Sequence, residues 1–247
     1  MHVELSEVTK RYGGTTALNG VSLNLPPASV VAVLGENGAG KSTLLRLLAA
    51  MLVPDKGLIR YDGREFDREK LDLRQKVFFT PDIPLAFPGN DVARNLAMFA
   101  GVYGRPMAGR EEHLRHWLDQ TGLAPLLRRD PWVLSRGQLW KMALMCGAVV
   151  EPELWLVDEP FASGMDAIGI GAWRRLARHL ADRGSTILYT TQMVEMAAEF
   201  ADRICVLREG RVIFWDSSER LRQMLADDAD GAEKLLRGLR EADVVSE

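Results

Sequence analysis

Two segments near the N-terminus alternate between apolar and polar residues, at residues 2–9 and 16–25. Alternation of period two is the pattern of a half-buried strand, and Gly13 and Gly14 between the segments indicate a turn. We therefore expect an antiparallel pair of strands. Further along the chain, the apolar run at residues 30–34 predicts a buried parallel strand, and similar short runs predict further strands. These runs lie at residues 30–34, 58–61, 76–80, 153–158, 186–191, 204–207 and 211–215.

Apolar residues three and four positions apart separate these runs and predict helices. The predicted helices lie at residues 41–50, 91–103, 110–121, 138–150, 168–183 and 194–201. Strands that alternate with helices indicate an α/β fold with a mostly parallel sheet and helices on both faces. The helices of residues 90–150 form an insertion, which predicts a helical subdomain beside the antiparallel β subdomain. The tail at residues 217–247 is charged and helix-prone.

A glycine-rich segment, GENGAGKST at residues 35–43, directly follows the first buried strand. Its glycines permit backbone conformations in which successive N–H groups surround an anion, and the next helix directs its positive dipole end there. In a phosphate-binding loop of this kind, Lys41 would bridge β- and γ-phosphate oxygens, and the Ser42 hydroxyl would hold Mg²⁺. The predicted phosphate-binding residues are Gly35, Glu36, Asn37, Gly38, Ala39, Gly40, Lys41, Ser42 and Thr43.

An acidic pair ends the apolar strand in LWLVDEP, at residues 154–160. Asp158 would hold the magnesium shell, and Glu159 would polarise an attacking water. Paired acids at a strand end can also cap a helix, but the phosphate-binding loop favours the catalytic interpretation. Tyr12 lies at the predicted turn, where its ring would either stack on a nucleotide base or pack on the sheet edge.

Composition narrows the classes of function. The chain of 247 residues carries a net charge of −3, which indicates no overall basic surface, so we expect no nucleic-acid partner. Cys146 and Cys205 lie in apolar runs and are expected to be buried, reduced thiols. The N-terminus lacks the apolar core of a signal peptide, and no apolar stretch approaches the about 20 residues that span a bilayer. Any work at a membrane is therefore expected to be that of a peripheral subunit.

Three motifs together resemble those of ATP-binding-cassette (ABC) nucleotide-binding domains. GENGAGKST resembles the Walker A motif, LSRGQ at residues 134–138 the signature motif, and LWLVDEP the Walker B motif, in the order and spacing of that family. The resemblance implies a P-loop NTPase core over residues 1–216 with a helical tail at 217–247. It also implies ATP and Mg²⁺ as ligands, and Tyr12 as the aromatic residue that stacks on adenine.

In that family the signature of one subunit closes over ATP held by another, so a second nucleotide-binding subunit is expected, in a homodimer or heterodimer. The signature residues would meet the γ-phosphate through the start of their helix. Arg136 replaces a glycine common in this motif, and it would either add charge near the phosphates or point to solvent. The implied signature contacts are Ser135, Arg136, Gly137 and Gln138.

Three further positions depart from the family pattern. Asp82 stands where the family has a glutamine that touches magnesium, and Gln192 stands where it has a histidine that contacts the γ-phosphate. Gln192 cannot carry a proton. If the family's histidine acts as an acid or base, its replacement would lower turnover ~10²–10⁴-fold. If the histidine only positions the γ-phosphate, the loss of turnover would be small. The SGMD segment that ends at Asp166 resembles the family's D-loop, but it lies one residue further from Asp158 than is usual in the family. We therefore hypothesise tight Mg-ATP binding with slow hydrolysis.

The resemblance predicts the ATPase subunit of a membrane transporter, peripheral on the cytoplasmic side of the membrane and bound to separate permease subunits. The segment NDVARNLAMFAGVYG resembles the exporter branch, and its apolar face beside PDIPLAFP would receive a permease helix. The alternative is an ATP-gated assembly or regulatory module of a membrane complex, in which hydrolysis is incidental.

Overall fold

The computed structural model describes residues 1–65 and 71–227 of the chain. The strands are β1 (Val3–Tyr12), β2 (Thr15–Leu25), β3 (Val30–Leu34), β4 (Lys56–Tyr61), β5 (Arg64–Glu65), β6 (Val77–Thr80), β7 (Leu154–Val157), β8 (Thr186–Thr191), β9 (Arg203–Arg208) and β10 (Arg211–Ser217). The α-helices are α1 (Lys41–Leu48), α2 (Leu71–Arg74), α3 (Val92–Val102), α4 (Glu111–Thr121), α5 (Arg136–Val150), α6 (Ala167–Asp182), α7 (Val194–Phe200) and α8 (Ser218–Asp227).

The described strands form two sheets. One is antiparallel, in the order β2-β1-β4-β5, and the other has the order β10-β9-β3-β8-β7-β6. In the larger sheet β3 pairs in parallel with β8 and β9, and β7 with β6 and β8, whereas β10 is antiparallel to β9. The predicted α/β class, with a mostly parallel sheet beside an antiparallel pair, is therefore confirmed.

Strand β3 shows why the large sheet is covered on both faces. All five residues of this strand are buried. Val30, Ala32 and Leu34 belong to the same hydrophobic core as buried residues of α6 and α7, whereas Val31 and Val33 belong to the core that contains α1 and the antiparallel sheet. A strand buried on both faces needs a continuous apolar run, which is what its sequence supplies.

Helices α3, α4 and α5 lie between β6 and β7 in the chain. Helix α5 begins at Arg136, two residues before the expected start, because Ser135 and Gln138 form a reciprocal cap around its N-terminus. From Trp140 onward every residue of this helix is buried, which agrees with its having apolar residues on all sides rather than on one face. The Trp140 Nε1–H donates to the Asp82 carbonyl oxygen at 3.0 Å and connects α5 to the loop after β6.

Other expectations concern the cysteines and the tail. Cys146 and Cys205 are free and buried, and burial raises the pKa of both thiols, to about 12 for Cys205. Helix α8 forms the first part of the predicted helical tail, whose residues 228–247 lie outside the described residues. Within the described ranges, no helix has the length and apolar character that crossing a membrane requires.

Close packing between α5 and β7 yields a stability prediction. A Cβ on Gly147 would overlap the indole ring of Trp155, whereas a Cβ on Gly101, inside α3, would meet no atom within 4 Å. We expect Gly147→Ala to lower the free energy of unfolding by about 1–3 kcal/mol through overpacking. Gly101→Ala, the matched control, should raise it by about 0.5–1 kcal/mol through helix propensity. Urea unfolding followed by circular dichroism measures both, and equal effects would contradict the packing argument.

Candidate nucleotide site

The loop between β3 and α1 has the geometry of an anion-binding turn. Gly40 immediately precedes α1 with a φ of 106°, a left-handed conformation that a side chain strongly disfavours. Its carbonyl oxygen accepts the Leu44 N–H at 2.9 Å, the first bond of the helix. The unpaired N–H groups at the start of α1 are thereby directed toward the loop, where they favour a negatively charged ligand.

Lys41 lies inside this loop and is almost completely buried. Its ammonium group donates to the carbonyl oxygens of Gly35 at 2.6 Å and Glu36 at 3.2 Å. It also forms an ion pair of 3.1 Å with Glu159 Oε1. The loop is thus connected through one cation to the acid at the end of β7.

A cavity of about 310 Å³ surrounds these groups. It brings the predicted phosphate loop together with the predicted base-stacking residue and the acids. Gly35 and Ala39 are buried in the loop and line a neighbouring cavity of about 270 Å³ instead. The residues around the first cavity are Tyr12, Ala17, Glu36, Asn37, Gly38, Gly40, Lys41, Ser42, Thr43, Asp82, Asp158 and Glu159.

The acids after β7 are held by a residue that the sequence analysis did not identify. Asp158 is buried, and its Oδ1 accepts the Thr190 hydroxyl at 2.6 Å. The same hydroxyl oxygen accepts the Glu159 N–H at 2.9 Å. In the sequence Thr190 was only part of a predicted strand, and its two partners lie more than thirty positions away.

Burial raises the pKa of Glu159 above its usual value. The Lys41 ammonium opposes this effect, whereas the negative charges of Asp158 and Asp82 add to it. A carboxyl group with a raised pKa is a stronger proton acceptor once ionised, as a general base requires.

Asp82 and Arg136, two of the departures from the family pattern, contact each other. Arg136 Nη2 lies 2.8 Å from Asp82 Oδ1, and the side chains are 57% and 50% exposed. The two alternatives for Arg136, added charge near the phosphates or a direction toward solvent, both remain open beside this ion pair, since Asp82 lines the cavity and the Arg136 side chain is largely exposed. An ion pair at this exposure contributes only about 0.2–1 kcal/mol, so its effect on stability is small.

The signature segment does not itself line the cavity of its own chain, although Arg136 pairs with Asp82, which does. Among the described residues that line the cavity, none belongs to residues 134–138. Ser135 and Gln138 cap α5, with Gln138 N–H donating to Ser135 Oγ at 3.3 Å. Gly137 is buried against Gly164, and a Cβ at Gly137 would overlap the Gly164 carbonyl oxygen.

The two remaining departures also have contacts within the chain. Gln192 Nε2 donates to Asn37 Oδ1 at 3.2 Å, which joins the end of β8 to the phosphate loop. Asp166 caps α6 by accepting the Gly169 N–H at 2.7 Å, and it pairs with Lys141 at 2.8 Å. In this structure Asp166 therefore stabilises the start of α6.

The oxygen donors at the cavity fit magnesium. Ser42, Asp82 and Asp158 line it together, and Mg²⁺ prefers one or two carboxylates supplemented by water and phosphate oxygens. In the described part of the chain, no cluster of three or more His, Cys, Asp or Glu residues could hold a metal ion. The cavity thus fits a metal ion that arrives with a nucleotide, rather than an all-protein cage.

The chain matches the ABC transporter family over residues 18–162, and it belongs to that family. It is 34% identical over 226 residues to the daunorubicin/doxorubicin resistance ATP-binding protein DrrA of Streptomyces peucetius, covering 92% of this chain and 68% of that protein. It is 34% identical to the Nod factor export ATP-binding protein I of Paraburkholderia xenovorans, covering 85% of this chain and 69% of the relative. It is also 35% identical to the sulfate/thiosulfate import ATP-binding protein CysA 1 of Agrobacterium fabrum, over 86% of this chain but only 62% of the relative.

Solved structures show the same relationship. An ATP-binding subunit of an ABC transporter superposes with a TM-score of 0.87 at 25% identity, covering 97% of this chain and 100% of the other. A dimeric ATP-binding cassette in a post-hydrolysis state with ADP and Pi superposes with a TM-score of 0.77 at 25% identity, over 87% of this chain and 98% of the other. The protein is therefore an ATPase of the ABC family, an ATP-binding subunit of the kind found in transporters.

The position of Lys41 gives a direct binding prediction. Lys41→Ala should weaken binding of a fluorescent ATP analogue by about 10–100-fold, because a charge-assisted hydrogen bond contributes about 1.5–3 kcal/mol. Arg46→Ala, an exposed residue of the same helix, is the control and should leave the dissociation constant unchanged. Equal affinity of the Lys41→Ala variant and the unmodified protein in a fluorescence titration would contradict this phosphate contact.

Proposed function

We propose that the protein is the ATP-hydrolysing subunit of a membrane exporter, bound to separate permease subunits on the cytoplasmic face of the membrane. The observation that carries this proposal is the single cluster formed by the phosphate loop, Lys41, Asp158 and Glu159. The exporter assignment is supported by the Nod factor export relative and by the resemblance of the α3 segment to the exporter branch. An import protein is also among the relatives, so the direction of ATP-driven transport in vesicles that contain the permease tests the exporter assignment.

In the proposed reaction, Glu159 accepts a proton from a water molecule as the water oxygen attacks the γ-phosphorus. The bond between that phosphorus and the bridging oxygen of ADP breaks, which releases ADP and phosphate. Lys41 offsets negative charge on the β- and γ-phosphates. Ser42, Asp82 and Asp158 would hold Mg²⁺, which neutralises phosphate charge when bound.

Dimer closure would supply the mechanical step. The signature of a second subunit would complete the site, since residues 134–138 do not line the cavity of their own chain. To shift a pair of cassettes from ~1:99 to ~99:1 closed, ATP must favour the closed state by about 5.5 kcal/mol. Charge-assisted contacts to two enclosed triphosphates are of sufficient strength. Hydrolysis of ATP removes the contacts to the γ-phosphates and allows the two cassettes to separate.

A groove beside the site is the proposed docking surface for the permease. It has a volume of about 1000 Å³ and contains Phe79, Phe99 and Leu85. Ile83 and Leu85 are 71% and 70% exposed, an unusual degree for large apolar side chains. The groove shares Ser42, Asp82 and Asp158 with the nucleotide cavity, so a change around the phosphates reaches the docking surface through common residues.

A second candidate function is an ATP-gated assembly or regulatory module with incidental hydrolysis. The contacts of the substituted residues support it: Asp82 is paired with Arg136, and Gln192 with Asn37. Both side chains would then stabilise a nucleotide-binding conformation without adding acid–base chemistry. Slow turnover is a feature of both candidates, and ATP-dependent export into vesicles with a permease distinguishes them.

Glu159→Gln tests the catalytic assignment. The variant should lose ATP turnover while its affinity for ATP stays unchanged, because the amide keeps the shape of the side chain but cannot accept the proton. With ATP and magnesium it should elute at the mass of a dimer in size-exclusion chromatography with light scattering. Combining it with Lys41→Ala should abolish that dimer. If the variant still hydrolyses ATP at the rate of the unmodified protein, Glu159 is not the general base.

Gln192→His tests the origin of slow hydrolysis. A histidine at this position can carry a proton, so the rate should rise, by as much as ~10²–10⁴-fold if acid–base help is what the chain lacks. Phosphate release by the purified protein provides the measurement, and Gln192→Asn serves as a control that keeps an amide. An unmodified protein that already turns over at a rate ordinary for the family would contradict the slow-hydrolysis hypothesis.

A further inference from the structure

Thr190, a buried residue in β8, connects the two acids that follow β7. Its Oγ1 lies 2.9 Å from the Glu159 nitrogen and 2.6 Å from Asp158 Oδ1. An N–H can only donate and a carboxylate can only accept, so the hydroxyl accepts the first bond and donates the second. The hydroxyl proton of Thr190 therefore lies in the hydrogen bond to Asp158, and its oxygen accepts the proton of the Glu159 N–H.

The backbone of Glu159 requires such support. This residue has φ 53° and ψ 52°, a left-handed conformation that is uncommon for residues with a side chain. Pro160 follows it, and a residue before proline normally prefers an extended backbone. The Thr190 hydroxyl holds the N–H of Glu159, while Lys41 holds its carboxylate at 3.1 Å. The direction of the Glu159 side chain thus depends on a hydrogen bond to the neighbouring strand.

We propose that Thr190 is a positioning residue for ATP hydrolysis, whose hydroxyl fixes the directions of the Glu159 and Asp158 carboxylates. The inference rests on the proposed role of Glu159 as the base. Thr190 acts through these two acids and contacts no reacting atom itself. Removing its hydroxyl leaves the partly buried N–H of Glu159 and the buried carboxylate of Asp158 without this partner, so both acids can reorient.

The test compares Thr190→Val, which keeps the shape but removes the hydroxyl, with Thr190→Ser, which retains it. Thr186→Val is the matched control, because Thr186 is a buried residue of the same strand whose hydroxyl donates to the Met1 carbonyl oxygen at 2.8 Å. Each full-length variant is assayed for kcat and KM with Mg-ATP. Affinity for a fluorescent ATP analogue and the thermal midpoint are measured on the same preparations.

We expect Thr190→Val to lower kcat by about 10–100-fold, which is the usual effect of removing a hydrogen-bond partner that orients a side chain of the active site. The affinity for the fluorescent analogue measured without Mg²⁺ should stay within about threefold, because the phosphate loop is unchanged. Thr190→Ser should recover kcat to within about threefold of the unmodified protein. Thr186→Val should lower the thermal midpoint and leave kcat unchanged. If Thr190→Val does not fold, Thr190→Ala should show the same selective loss of kcat.

Three results would overturn the inference. They are a kcat within about twofold of the unmodified protein in Thr190→Val, a kcat in Thr190→Ser as low as that in Thr190→Val, and an equal loss of kcat in Thr186→Val. Glu159→Gln separates this inference from the proposed function. If Glu159→Gln is inactive while Thr190→Val is fully active, only the Thr190 inference fails. If Glu159→Gln keeps normal turnover, the assignment of the base fails.

Discussion

The arrangement of the site depends on the need to satisfy one buried cation. Placing an ammonium group out of contact with water costs several kcal/mol unless it is paired and hydrogen-bonded. Lys41 meets this requirement with the carbonyl oxygens of Gly35 and Glu36 and with the carboxylate of Glu159. These partners fix the conformation of the loop, and they attach it to Glu159, the proposed general base.

The large sheet makes that pairing possible. Strands β3 and β7 are both neighbours of β8, and all three are parallel, so their carboxyl ends lie on one edge. Ligand sites of open α/β sheets lie outside this edge. The loop after β3 and the acids after β7 therefore meet there, with Thr190 from β8 between them. The burial that brings these groups together also raises the pKa of Glu159.

The departures from the family pattern are connected to this edge by contacts within the chain. Asp82 pairs with Arg136, and Trp140 donates to the Asp82 carbonyl oxygen, so the loop after β6 is attached to the first turns of α5. Gln192 reaches Asn37 in the phosphate loop. The segments around the cavity are thus physically connected to α5 and to the proposed docking groove. This continuity is what transfer of a change from nucleotide to permease requires in the proposed function.

The sequence by itself determined the α/β class, the main strands and helices, the phosphate loop and the acidic pair, because apolar periodicity and glycine spacing act over short distances along the chain. The predicted start of α5 was wrong by two residues, although the spacing of Ser135 and Gln138 in the sequence is that of a capping box and indicates a start at Arg136. The tertiary structure alone decided the contact between Asp82 and Arg136, the burial of Gly137 beneath Gly164, and the support that Thr190 gives to both acids. These contacts join residues far apart in the chain, and local sequence preference carries no information about which distant strand ends will meet.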